Sequence, residues 1–571
     1  MNEIASSKGH PKGLYVLFAT EMWERFNYYG MRAVLVLFMT KALLFDKAFA
    51  SNLYGSYTSL VYLTPLIGGF VADRYWGSQR SIIAGGLVMA LGEFILFFCG
   101  STYVSSPDLS ALLFFSGLGL MIAGNGFFKP NISSLVGQLY PKGDRRIDPA
   151  YTIFYMGINV GGALGPIVCG LVGDTGNPAD FKWAFLAGGI GMLISVIVQM
   201  AFAKQYVIDP DKNELGKAPA DAPAAWVKPI AMILGLAAFA GLAIGLLYLD
   251  ARVVPYLTYL LIAATLAIGF IIFSDKTINA IEKQRIAVIF IVAFFVIFFW
   301  SAFEQAGASL TFFADEQTNR HLGLNLPTWI IYPIGLGFLW LIFDLFTKAK
   351  KGLSAPEENN LKITVYVLLF AFAAAIIYGI ITVASGTTDR IMMDELPAST
   401  FQSLNSIFVV SFAPLFAWLW LKLGKYEPAA PTKMALGLFL LSLGYLWIAF
   451  GVKNVAPGIK VSMIWLIGMY ALHTWGELCL SPIGLSLVNK LAPLKFASLL
   501  MAVWFLANAA ANKLAGVLSA LYPDNKTTNF LGYEMNNLYD FFMLFVVMSG
   551  VASLILFFLS GRLLKMMHGL K

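Results

Sequence analysis

Near the amino terminus, six residues that can carry charge or hydrogen bonds interrupt an apolar run, "GLYVLFATEMWERFNYYGMRAVLVLFM". They are Glu21, Glu24, Arg25, Tyr28, Tyr29 and Arg32, separated by 3, 1, 3, 1 and 3 residues. At 3.6 residues per turn this spacing predicts one stripe along a helix, with an apolar face opposite. Glu21 and Arg25 lie four apart, as do Arg25 and Tyr29. A single charge at the centre of a bilayer costs about 2.5–3.5 kcal/mol on insertion scales. Four charges in one span must therefore pair and face protein or water. Such a stripe suits proton exchange on carboxylates and capture of an anionic group by arginine.

Other charges in apolar surroundings are few. Lys129 lies in "GNGFFKPN", Glu304 in "FFWSAFEQAG" and Glu477 in "ALHTWGELCLSPIG", with His473 one turn earlier. His473 reads as a packed helix residue and is given no role. Glu93 and Lys513 read as lone charges, and Asp344 and Asp394 fall near span ends. Arg25, Arg32 and Lys129 come from the first part of the chain, Glu304 and Glu477 from the second. A cavity between the two parts would have a positive and a negative wall, which suits a zwitterion.

The elements that must position these residues follow from composition. Of the 571 residues 58% are hydrophobic and only 12% charged, with a mean hydropathy of +0.74. Soluble domains carry roughly twice that charge. An all-α polytopic membrane protein is expected, since a span needs about 20 apolar residues. Sixteen runs of span length are present, near 13–43, 51–73, 81–101, 109–138, 149–173, 183–203, 226–249, 254–273, 286–313, 327–347, 362–384, 397–421, 433–451, 461–489, 496–521 and 538–561. Most of the 39 basic residues fall in loops on the side of the amino terminus, which predicts cytoplasmic termini by the positive-inside rule. The net charge of +7 is explained the same way. The basic residues form no stripe for nucleic acid. The start "MNEIASSKGHPKG" lacks the apolar core of a signal peptide.

The linker "DPDKNELGKAPADAPAAWVK" separates six spans from the rest, a layout of two six-helix bundles. The expected division is a bundle over 1–208, a linker with two extra membrane helices over 209–285, and a second bundle over 286–571. A further hairpin is inserted in that second bundle near 327–384. The total is then about 14–16 spans.

Several segments match one family in order. "EMWERF" followed by "NYYGMR" gives the Glu-x-x-Glu-Arg-Phe motif, and "GGFVADRYWGSQRSI" matches apart from Ser81 in place of threonine. "FYMGINVGGALGP" matches with Gly162 where serine is common. "GNGFFKPN", "FFWSAFEQAG", "FQSLNSIFVVSFAPLFAW" and "GELCLSPIGLSLVNKLAP" follow. Over nearly its whole length the chain resembles the bacterial proton-dependent oligopeptide transporters of the major facilitator superfamily. The resemblance implies import of di- and tripeptides with protons by alternating access, in an inner membrane.

It also implies roles. Glu21, Glu24, Arg25, Lys129 and Glu304 would couple protons. Lys129 would pair with the first-span motif or with the cargo. Arg25 and Lys129, with Arg32 nearby, would hold the peptide carboxylate, and Glu477 its ammonium. Asn159 and Asn405 would hold the peptide backbone. Tyr28, Tyr29, Tyr62, Trp300, Ser481 and Trp504 would line the site. Arg32 with Glu304 would close the outer gate, and Lys129 and Glu477 would also serve as gate residues.

One region departs from the pattern of fourteen spans that the resemblance implies. The inserted hairpin adds two spans, and it carries no polar stripe. It reads as peripheral, for lipid or oligomer contact. A relative carrying another small solute, such as an amino acid, nitrate or a drug-like anion, is the main alternative. The negative wall and the complete first-span motif favour a peptide. An embedded enzyme is disfavoured, because no HExxH, GxSxG or cysteine–histidine cluster is present. No metal or cofactor is expected. Cys99, Cys169 and Cys479 show neither zinc nor disulfide spacing.

Overall fold

A computed structural model of the chain describes residues 9–141, 143–220, 222–223, 228–252, 255–327, 390–456, 458–524 and 526–569. The first bundle comprises α1 (Lys12–Leu37), α2 (Lys47–Leu63) continued by α3 (Pro65–Val71), α4 (Ser78–Thr102), α5 (Pro107–Gln138), α6 (Ile147–Gly173) and α7 (Phe181–Tyr206). A hairpin follows, α8 (Pro229–Arg252) and α9 (Tyr256–Ser274). The second bundle comprises α10 (Ala280–Phe303) continued by α11 (Ser309–Glu316), α12 (Ser403–Leu423), α13 (Ala430–Val452), α14 (Met463–Leu491), α15 (Ala497–Ser519) and α16 (Leu538–Met566). These make fourteen spans among the described residues. The predicted run 362–384, and all of the run 327–347 beyond Pro327, lie outside the described residues. Eleven of the described helices are long and apolar enough to cross a membrane, and α1, with Glu21, Glu24, Arg25 and Arg32 in its interior, is not among them.

Local sequence accounts for the breaks. The run 51–73 is divided at Thr64, because Pro65 has no N–H to continue the ladder and takes the first position of α3 instead. The span holding Glu304 breaks at Glu304–Gly307, a tight 3₁₀ turn. Gln305 holds that turn: its amide donates to the Ser301 and Ala515 carbonyls at 3.0 Å, and its Oε1 accepts from Ser309 and Ser519.

Short strands occur outside the helices. β1 (Thr318–Asn319) pairs with β4 (Val461–Ser462), and β5 (Thr528–Phe530) with β6 (Tyr533–Met535). Arg320–Leu396 forms a compact unit of its own. Its described ends are β2 (His321–Pro327) and β3 (Arg390–Glu395), paired antiparallel. The alternation of Leu322, Leu324 and Leu326 in the sequence suits a strand.

In the main body α1 packs against α6 and α7, and α4 against α5 and α7. In the second bundle α13 packs on α14 and α16, and α10 on α15. The bundles meet where α2 lies along α15 and α6 along α12. The α1–α6 contact sets the site. A Cβ on Gly161 would fall 2.1 Å from the Met22 carbonyl oxygen, and one on Gly165 would fall 2.5 Å from that of Phe26. Only glycine permits this approach, which brings α6 onto the turn of α1 that carries Arg25.

Candidate functional site

The stripe on α1 is buried and paired. Arg25 Nε donates to Glu21 Oε1 at 2.8 Å and stands 2.8 Å from Glu24 Oε2. Asn125 Nδ2 of α5 donates to Glu24 Oε1 at 3.1 Å. The Arg25 guanidinium lies 5.6 Å from the Tyr28 ring centre and 6.0 Å from that of Tyr29. These cation–π contacts offset part of its lost hydration. Glu21 Oε2, Glu24 Oε2 and Arg25 Nη2 are buried and have no hydrogen-bond partner among the described residues. The cluster is thus held by charge more than by aligned hydrogen bonds, and it retains capacity for a further polar group.

Lys129 stands apart. Its ammonium lies 4.8 Å from the Tyr62 ring centre. It makes no ion pair among the described residues, although Glu24, Glu21 and Glu304 lie within its electrostatic reach. The first-span motif is therefore paired through Arg25, and Lys129 is a half-buried cation open to another anion.

Two turns beyond Arg25 on α1, Arg32 Nη2 stands 2.8 Å from Glu304 Oε2 and joins the two bundles. Tyr29 and Tyr54 place their rings 5.6 and 5.9 Å from the Arg32 guanidinium. More cross-bundle contacts continue toward the end of the molecule opposite Lys12 and Met566, here the far end. Lys41 pairs with Asp315 at 2.8 Å, and Lys47 with Glu316 and Asp524 at 2.7 and 2.9 Å. Asp174 Oδ2 accepts from the backbone N–H and the hydroxyl of Ser399 at 3.1 and 3.0 Å. Toward the near end, Tyr151 and Tyr155 of α6 are exposed. Tyr155 is also within electrostatic reach of Glu477 on the second bundle.

The opposite wall is built on α12 and α14. Asn405 Nδ2 donates to Glu477 Oε2 at 2.8 Å and lies 3.1 Å from Thr474 Oγ1. Glu477 is buried and makes no ion pair among the described residues. Ser481 Oγ, one turn on, is buried and has no hydrogen-bond partner among the described residues. The Trp504 indole lies against Gly484, where a Cβ would stand 2.0 Å from the ring. Trp300 packs edge-on to Phe303 with centroids 5.1 Å apart. Asn159 bonds the Tyr155 carbonyl of its own helix at 2.9 Å and hydrogen-bonds no other wall among the described residues. His473 packs against Tyr445, with centroids 4.7 Å apart.

A family model for the POT family matches residues 79–343 and 359–539. The chain belongs to the POT family. An uncharacterized transporter of Bacillus subtilis, YclF, is 33% identical over 92% of this chain and 90% of its own length. The peptide transporter YePEPT of Yersinia enterocolitica is 31% identical over 89% and 88%. A di-/tripeptide transporter of Lactococcus lactis is 30% identical over 90% of each chain. Among solved structures, a peptide transporter POT in complex with sulfate is 30% identical, with a TM-score of 0.72 over 99% of this chain and 97% of that one. A POT family transporter in complex with 5-aminolevulinic acid is 26% identical, with a TM-score of 0.71 over 98% of each. The POT-family chain therefore has the major facilitator fold of two six-helix bundles plus additional helices, and it is a multi-pass membrane transporter.

Several residues of this POT-family site escape a reading of the sequence. Asn125 beside Glu24 and Tyr54 beside Arg32 carry no charge to mark them. Glu93 is not alone: its Oε1 accepts from Asn27 Nδ2 of α1 at 3.0 Å. Nor is Lys513, which pairs with Asp250. Both corrections have one cause. The partners are distant in the chain, and no helical periodicity connects them.

Proposed function

We propose that the chain is a proton-coupled symporter of di- and tripeptides that works by alternating access. One observation carries this reading. Half-buried Lys129 on one wall and buried Glu477 on the other are opposite charges within the membrane-spanning helices, and neither has an ion-pair partner among the described residues. Leaving either so is costly unless a ligand pairs with it. A zwitterion supplies both partners at once, its carboxylate to Lys129 and Arg25 and its ammonium to Glu477. Names of relatives agree, since two are peptide transporters.

In this reading the Arg25 cluster and Glu304 handle protons. A proton on Glu304 removes its pull on Arg32 and leaves the buried guanidinium without a counter-charge in the closed arrangement, so the far end is freed to open. The peptide carboxylate competes with Glu24 for Arg25, so cargo and proton affect one cluster. Arg32, Glu304, Lys129 and Glu477 act as gates by exchanging these partners. Asn405 steers Glu477, while Tyr28, Tyr29, Tyr62, Trp300, Ser481 and Trp504 line the cavity and Asn159 offers an amide to the peptide backbone. We place the termini in the cytoplasm of a bacterial inner membrane, on the distribution of basic loops. The division into 1–208, 209–285 and 286–571 follows the linker and the hairpin.

The test is uptake of labelled dialanine into proteoliposomes under an inward proton gradient. Accumulation that vanishes when the gradient is collapsed is expected, with strong loss in Glu477→Gln. A folded protein that takes up no dialanine would sink the peptide reading. A second reading, transport of a small amino-acid-like zwitterion, is favoured by the relative in complex with 5-aminolevulinic acid. Uptake of that compound without dialanine would support it.

A further inference from the structure

The hairpin α8–α9 touches both bundles through different arms. α8 packs on α5 and α2 of the first bundle, and α9 on α15 of the second. The fit to α5 is close: a Cβ on Gly119 would lie 2.2 Å from Ile244 Cγ1, and Phe115 meets Tyr248 edge-on at 5.3 Å. On the other side, Ile268 of α9 packs against Ala293, Val503 and Ala507 of α10 and α15. The hairpin is pinned to the second bundle by charge at both ends. Lys495, just before α15, pairs with Asp275 at 2.7 Å near the termini. At the far end Lys513 Nζ pairs with Asp250 Oδ2 at 2.5 Å.

The far-end pair joins three elements. Asp250 Oδ2 also accepts from Ser56 Oγ of α2 at 2.5 Å, and Lys513 Nζ donates to Ser56 Oγ at 2.8 Å. Asp250 Oδ1 accepts from the Leu257 N–H at 2.9 Å, which satisfies a free donor at the start of α9. Asp250, Ser56 and Lys513 are all buried. They sit beside a close backbone approach between the bundles, where a Cβ on Gly55 would stand 2.7 Å from the Gly516 Cα.

We propose that the α8–α9 hairpin is a strap between the bundles, and that Asp250 and Lys513 are positioning residues that hold the far end closed. Opening the far end parts α2 from α15. Ser56 then leaves Lys513, and Asp250 can follow only one of them. Each such separation breaks a buried polar interaction, while the opened cleft lets water solvate Lys513. Removing the Asp250 charge therefore raises the energy of the closed state selectively, because there Lys513 is buried and unpaired. The strap thus weights the equilibrium on which alternating access depends, and the inference rests on that reading. Its test does not depend on the identity of the cargo.

Spin labels at Val104→Cys and Ile459→Cys, exposed far-end sites on the two bundles, report the separation in nanodiscs. In Asp250→Asn the long-distance population is expected to rise about tenfold or more. The exchanged pair Asp250→Lys with Lys513→Asp is expected to restore the short distance. Ser56→Ala, which keeps the ion pair, is expected to shift the population less and in the same direction. It also serves as the readout if Asp250→Asn does not fold. An unchanged distance distribution in a folded Asp250→Asn protein, or in Ser56→Ala where that is the readout, would overturn the proposal. A lower melting temperature with no distance change would mark the triad as structural only. If distances move as expected but no peptide is transported, the strap stands and the cargo assignment fails.

Discussion

Arg32 Nη2 and Glu304 Oε2 stand 2.8 Å apart across the two bundles, yet Glu304 Oε2 has no aligned hydrogen bond among the described residues. The pair is electrostatic, and so it is sensitive to one proton. Glutamine at 304 keeps the shape and removes the charge, as a permanent proton would. In Glu304→Gln, accumulation of dialanine driven by the proton gradient is expected to be lost. Exchange of dialanine across the membrane without a gradient is expected to persist. Gradient-driven accumulation at the wild-type level would remove Glu304 from proton coupling.

Glu477 tests the other half of the cavity. Its Oε2 accepts from Asn405 at 2.8 Å, and no cation pairs with it among the described residues. If it receives the peptide ammonium, Glu477→Gln removes a charge-assisted hydrogen bond. Such bonds contribute about 1.5–3 kcal/mol, so the KM for dialanine is expected to rise about tenfold to a hundredfold. N-acetyl-dialanine has no ammonium, and its weak competition should be unchanged by the substitution. An equal loss for both compounds would place Glu477 outside ammonium recognition.

Much of this arrangement is legible in the chain, for physical reasons that differ by residue. The α1 stripe is visible because residues three and four apart share a helix face, and the ion pair from Glu21 to Arg25 is of that local kind. The pairing of Arg32 with Glu304 follows only from family resemblance, since it spans two bundles. Lys513 and Glu93 look solitary in the sequence because Asp250 and Asn27 reach them through folding alone. For Lys129 the expected partner is the first-span motif or the cargo. Its ammonium lies over Tyr62, because Arg25 already occupies both nearby carboxylates. The break at Thr64–Pro65 is hidden inside a continuous apolar run, where hydropathy has no sensitivity to a missing N–H.

Glycine packing between the bundles gives a steric prediction. The Gly55 and Gly516 backbones meet so closely that a Cβ on Gly55 would stand 2.7 Å from the Gly516 Cα. Backbone atoms cannot rotate away. Gly55→Val is therefore expected to hold α2 off α15 and to reduce dialanine uptake at least about tenfold, in line with overpacking penalties of roughly 1–3 kcal/mol. The readout is uptake normalised to folded protein in the vesicles. Unimpaired uptake would mean that this approach is not required in any state of the cycle.

Glu93 supports a prediction about stability. It is fully buried on α4, and its Oε1 accepts from Asn27 Nδ2 at 3.0 Å. Glu93 Oε2 and Asn27 Oδ1 are both buried and have no hydrogen-bond partner among the described residues. A donor on the first atom would satisfy the second, and glutamine carries such a donor where a carboxylate has none. Glu93→Gln is therefore expected to match or exceed the wild-type melting temperature and to leave proton-driven uptake intact. Glu93→Ala strands the Asn27 amide and is expected to cost about 1–3 kcal/mol, read as a lower melting temperature in the same detergent. Because Asn27 lies two residues beyond Arg25 on α1, that loss should also loosen the charged stripe and lower uptake. A glutamine variant as damaged as the alanine variant would mean that Glu93 acts through its negative charge, and would add it to the proton-handling residues.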